Sequence, residues 1–251
     1  MTFSPEADRS ADETRQRFEL GIKPSARALI EVANRLGASV AHLPGSALQG
    51  SLAPAPDCLP GSWQIAVDRT MPSYRFRFAV AHELGHLYLR HHDLKPRSEE
   101  RWCNQFAAEL LMPAKAIATD YRDADPSFDA LIDVARRFDV SRSAALVRLR
   151  HVQRWPRALI SLRLRDDRWL VARMTAVPAV ALYQLEPEAT GTDIPRSSGV
   201  FHSWLRFGFH HELIEILSEG QRRGTWLDLL VNSSDLEDLC TQIVRAADPV
   251  R

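Results

Sequence analysis

The chain has 251 residues, 45% of them apolar, and its 32 Lys plus Arg balance 32 Asp plus Glu. Such a length and apolar fraction suit one large or two to three small domains with proper cores, and a formal net charge of zero excludes a global field that draws the chain to nucleic acid or membrane. The opening Met1 to Ser10 is polar, no run approaches the ~18 apolar residues of a membrane span, and Cys58, Cys103 and Cys240 are too scattered for a disulfide framework, which together predict a cytoplasmic protein.

The first twenty residues are charge-rich and predict a mobile segment, 1–20. Pro24-Ser25 then introduces a helix over Ala26 to Leu36, ended by Gly37. Val40 to Leu43 and Trp63 to Val67 have strand character on either side of a Pro- and Gly-rich stretch from Pro44 to Gly61.

The next segment carries the chemistry. His82-Glu83-Leu84-Gly85-His86 is an H-E-x-x-H pattern inside the apolar flanks Phe78-Ala79-Val80 and Leu87-Tyr88-Leu89, with no proline from Ser73 to Lys95, so it predicts an amphipathic helix. Four-residue spacing sets His82 and His86 one turn apart on one face, where two neutral imidazoles can share a metal ion. Glu83 sits beside that face, where a carboxylate can take a proton from water activated by the ion. His91, His92 and Asp93 read as a polar helix end, favourable at the negative pole of the dipole.

A zinc ion that catalyses hydrolysis keeps three protein ligands and an open position. Ser98 to Pro113 supplies a second helix, with Ser98 as N-cap, acidic residues in the first turn and Pro113 past the end. Trp102, Cys103, Phe106, Ala107, Leu110 and Leu111 recur at helical spacing and predict packing on the first helix; Cys103 reads as a small buried hydrophobe. Glu100 and Asn104 lie four apart, on one face, so Glu100 can ligate while Asn104 accepts the free ring N–H of a ligating histidine. Glu99 remains a rival for the ligand role, behind Glu100 on helical phase.

The stretch R-F-x-x-A-H-E-L-G-H-L-x-L from Arg77, followed by E-x-x-x-N-x-F-A-A-E-L-L-M-P from Glu100, resembles the ImmA/IrrE family of intracellular zinc metallopeptidases. The resemblance is strong over about residues 20 to 115; Cys103 stands where relatives commonly have alanine. It implies a thermolysin-like peptidase domain over 21–115, with His82, His86 and Glu100 holding Zn2+ (or Mn2+, since availability decides metal identity) and Glu83 as general base. It also implies an edge strand that receives substrate backbone, for which Trp63, Gln64, Ile65, Ala66 and Val67 are the candidates. The implied substrate is a helix-turn-helix repressor protein, cleaved in a stress or mobile-element response.

Beyond Pro113, Phe128 to Phe138 and Ser141 to His151 form a helix-turn-helix pattern in a helical region, 116–155, with Ser141 as N-cap. Arg136, Arg137, Arg142, Arg148 and Arg150 offer charge for phosphates, so a DNA-binding regulator is one alternative, although a structural or partner-docking role is favoured. A non-catalytic interaction module with structural zinc is the other. Ala158 to Arg165 and Trp169 to Met174 predict a hairpin around Asp166-Asp167-Arg168. His210 to Glu215 lacks a second histidine at the required spacing and reads as an amphipathic segment. Thr225 to Val231 predicts a strand, and Ser234-Asp235 caps a final helix through Ala246. The predicted class is α+β, and the 156–251 region is similar in position and class to the GAF-like sensor domain of the IrrE branch.

Overall fold

The computed structural model describes residues 4–43, 50–55, 62–165, 168–175, 188–189, 199–206, 213–223 and 226–234. Two compact units make up the chain, one from 1–122 with 134–144, the other from 123–133 with 145–251. The expected helical region 116–155 is therefore shared between them. No helix among the described residues is long and apolar enough to cross a membrane.

In the first unit the chain opens with α1 (Pro5–Arg17), where charge-rich composition predicts mobility. Its buried residues are Ala7, Ser10, Ala11, Thr14 and Arg15, a stripe at helical spacing made of small or polar side chains. Such a stripe packs by close approach instead of bulk, and a pattern built on large apolar residues passes over it. Gln105 fastens it to the later helix α4 (Glu99–Leu111), accepting the Ser4 N–H at 2.8 Å and donating to Ser4 O at 2.7 Å. Arg15 donates to Leu110 O of that same helix.

Helix α2 (Ala26–Arg35) begins as predicted: Ser25 Oγ accepts the Ala28 N–H at 3.1 Å. Gly37, at φ +79°, turns the chain into strand β1 (Ala38–Leu43) in a conformation costly for other residues. Strand β2 (Gly50–Pro54) lies inside the Pro- and Gly-rich stretch, and β3 (Trp63–Asp68) follows. The sheet order is β1-β3-β2, with β3 parallel to β1 and antiparallel to β2. This corrects one expectation. Trp63 to Val67 is the central strand, its backbone hydrogen-bonded on both sides, so it cannot receive a substrate strand.

Helix α3 (Ser73–His91) carries the H-E-x-x-H residues and packs on α4 at the position where it has no side chain. A Cβ at Gly85 would sit 3.1 Å from Cys103 Cα and 3.2 Å from Cys103 Cβ, so the helices meet backbone to backbone. Gly85→Val is expected to destabilise the fold by about 1–3 kcal/mol through overpacking, even though replacing glycine within a helix ordinarily stabilises it; a denaturant midpoint equal to wild type contradicts this packing.

Arg77, 3% exposed, anchors the same helix. It donates to Pro24 O at 2.9 Å, Phe138 O at 3.1 Å and Asp139 O at 2.7 Å, and pairs with Asp139 Oδ2 at 3.0 Å. Two of those carbonyls end helix α6 (Phe128–Phe138), where the intrahelical donors run out. Between α4 and α6 lies α5 (Ala114–Asp120), whose first N–H is accepted by the buried Glu109 carboxylate at 3.1 Å. Helix α7 (Arg142–Gln153) starts at the expected cap, Ser141 Oγ accepting the Ala144 N–H at 3.1 Å.

The second unit contains β4 (Arg157–Arg165), β5 (Arg168–Thr175), β6 (Glu188–Ala189), β7 (Gly199–Arg206), β8 (Leu213–Arg223) and β9 (Trp226–Asn232). The expected hairpin is present, β4 pairing antiparallel with β5, and β4 also pairs with β9, closing a barrel in the order β4-β5-β6-β7-β8-β9. Closure removes exposed sheet edges. Ala158, Leu159 and Ile160 are buried in succession, as are Leu229, Leu230 and Val231, so both faces of this pair are covered. Leu213 to Glu215 begins β8, whereas His210 to Glu212 and the predicted final helix from Asp235 to Ala246 lie outside the described residues. The chain is thus of mixed α+β class, and the barrel adds no support to a GAF-like likeness.

Candidate metal centre

One turn of α3 and the first turn of α4 bring His82, His86 and Glu100 together, with one ligand atom from each lying within 4.8 Å of the others. His82 Nε2 is 3.1 Å from His86 Nε2, and Glu100 oxygens stand 3.3 Å from each of these nitrogens. Bonds of about 2.0–2.1 Å in a tetrahedron imply donor separations of roughly 3.3 Å, so this triangle has the size that a zinc ion needs.

Hydrogen bonds on the far side of each ring fix which nitrogen faces the centre. His82 Nδ1 lies 3.1 Å from Asn104 Oδ1, and His86 Nδ1 lies 3.0 Å from Glu99 Oε1. Both oxygens are acceptors, so each Nδ1 carries the proton and each Nε2 points a lone pair inward. Two lone pairs and a carboxylate at these separations repel one another until a cation sits among them. The donor set of imidazole, imidazole and carboxylate is one that zinc takes in hydrolytic sites.

Asn104 therefore stands where helical phase places it. Glu99, the rival ligand, turns instead to the outer nitrogen of His86 and orients that ring. Adjacent helical positions are separated by about 100°, which lets one carboxylate reach the centre while its neighbour reaches around it. His91 and His92 stay away from the cluster: His91 Nε2 meets Leu36 O at 2.9 Å, and His92 stacks on Tyr88 with ring centroids 4.2 Å apart. Cys103 is buried, and burial pushes its thiol pKa well up, which keeps it a packing residue.

Glu83 is 6% exposed and lies against β2, where a Cβ on Gly50 would come 2.9 Å from Glu83 Oε1. Burial holds its carboxyl above the usual range, an effect that His86 opposes and Glu100 reinforces. Burial also lowers the pKa of His82, with His86 adding to the effect and Glu100 and Asn104 opposing it, which favours the neutral ring a metal requires.

The cluster opens into a groove of about 400 Å3 lined by Gly50, Ser51, Leu52, His82, Glu83, His86, Arg90, Glu99 and Glu100. Its wall is β2, which has β3 on one side and no other strand among the described residues. Ala55 N–H donates to Ser62 O at 3.0 Å, and the register pairs Leu52 with Ile65 and Ala53 with Gln64. Alternation along an antiparallel ladder then turns the backbone groups of Gly50 and Leu52 to the open edge. The edge strand is thus β2, not Trp63 to Val67. Five residues, Gly50-Ser51-Leu52-Ala53-Pro54, amid turn-forming neighbours gave little strand signal, and only the pairing order reveals the edge.

Three of the five arginines of the helix-turn-helix pattern have other work within their units. Arg137 pairs with Asp120, Arg148 is 1% exposed, and Arg150 donates to Arg157 O at 2.7 Å and to Ser233 Oγ. A charge so engaged or so buried is poorly placed to meet a phosphate.

Two histidines from one helix, a buried glutamate between them in sequence and a carboxylate from the next helix define a metallopeptidase-type domain. Residues 33–150 match the family model Peptidase_M78, described as IrrE N-terminal-like domain. Among solved structures the chain is similar to a Mycobacterium tuberculosis transcriptional regulator, at 14% identity, with 92% of this chain and 76% of that chain covered and a TM-score of 0.47. No curated protein matches the chain.

Proposed function

We propose that the chain is a zinc-dependent endopeptidase. The observation that carries this reading is the convergence of the two Nε2 lone pairs and Glu100 on one point, beside a buried glutamate and an open strand edge. The residues suited to hold zinc are His82, His86 and Glu100, and a zinc ion there supplies Lewis acidity toward a carbonyl and acidifies water. Glu83 takes the proton of the attacking water and passes it to the leaving amine. Gly50 and Leu52 hold the substrate backbone extended along β2, and Asn104 and Glu99 keep both imidazoles turned.

By family resemblance the substrate is a helix-turn-helix transcriptional repressor, whose cleavage derepresses a stress or mobile-element response. Incubating the zinc-loaded chain with the helix-turn-helix repressor encoded nearest to it should yield two fragments by intact-mass spectrometry, and a chelator should stop their formation. Fragments that form equally fast after complete metal removal would rule out the zinc-dependent reading.

A further inference from the structure

Two helical turns beyond His82, α3 places a cation in the groove wall. Arg90 is the one Lys or Arg among the described residues lining the groove. Its side chain is 57% exposed, and the carboxylate in ion-pair range, Glu99 Oε1, lies 3.7 Å away, outside hydrogen-bond distance. That same oxygen is already engaged by the His86 ring at 3.0 Å. The Arg90 guanidinium instead lies over the face of Trp63, 6.0 Å from the ring centroid. Glu99 is held to its histidine and Glu100 to the metal cluster, so Arg90 retains donors for a group that enters the groove.

Strand register says where along a bound chain that group would be. Gly50 lies against Glu83, and Pro54, at the other end of β2, pairs with Trp63, over which Arg90 lies. The strand therefore runs along α3 from Glu83 toward Arg90. Seven helical residues span about 10 Å, or about three residues of extended chain. A segment added antiparallel to β2, the more stable pairing, has its N-terminal side at Arg90.

We infer that Arg90 is a specificity-determining residue, pairing with an acidic side chain about three positions before the scissile bond. The inference rests on the peptidase reading and names a feature of its substrate class. The test uses the full zinc-loaded chain and two probes, acetyl-Glu-Leu-Leu-hydroxamate and its Gln counterpart, with a Lys counterpart for the charge-reversed variant; their hydroxamates bind zinc, so that no cleavage is needed. Calorimetry should show the Glu compound binding wild type about three- to tenfold more tightly. Arg90→Gln should erase the difference, and Arg90→Glu should transfer the preference to a Lys compound. Equal affinity of both probes for wild type, or a Glu preference that survives Arg90→Gln, overturns the role of Arg90 and leaves the metal centre standing. If neither probe binds the zinc-loaded chain, the peptidase reading falls and this inference falls with it.

Discussion

Glu83→Gln is expected to slow peptide-bond cleavage by about 10²- to 10⁴-fold, the range for loss of a positioned general base, while zinc content stays at the wild-type level. The amide keeps the shape of the carboxylate in a site where Glu83 is 6% exposed and packed beside Gly50, so neither folding nor the metal triangle should change. Glu83 is also absent from the group of converging ligand atoms, which separates its role from metal binding. Single-turnover cleavage of the proposed repressor substrate and metal analysis on the same preparation check both halves. Retained zinc with an undiminished rate would remove Glu83 from the role of general base.

Glu100→Ala should abolish stoichiometric zinc binding, because it deletes one of the three donors and leaves two imidazoles alone. Glu99→Ala should keep the metal but weaken its binding by about 10- to 100-fold, the usual cost of losing a hydrogen bond to a ligating histidine. The contrast is informative because the two residues are neighbours in sequence and both carboxylates contact His86, one at Nε2 and the other at Nδ1. Competition against a chelator of known affinity measures it. Metal loss in Glu99→Ala alone would exchange their assignments.

Both predictions rest on residues that local sequence made legible. The spacing of His82 and His86, the carboxylate beside them, and the four-residue step from Glu100 to Asn104 are all set by helical periodicity, which acts within a turn or two and needs no knowledge of distant chain. The same locality made Ser25 and Ser141 readable as caps, since each bonds an N–H three residues on. Gly85 was visible as a residue, but its purpose, a backbone approach to Cys103, depends on how two helices cross.

Features that pair distant residues were not legible. Strand character was evident at Trp63 to Val67, yet whether that strand lies at the edge or the centre depends on partners as far off as Ala38 and Gly50. The small-residue stripe of α1 acquires meaning only against α4, about ninety residues later. The basic charges of α6 and α7 look available until Asp120, Arg157 and Ser233 claim three-dimensional positions beside them. The sequence alone sufficed for the paired histidines, because one helical turn builds them; which carboxylate of α4 meets them, which strand edge opens onto them and which cation lines the groove were left to long-range packing, because hydrogen-bonded strands and packed side chains are chosen by tertiary neighbours that local periodicity does not encode.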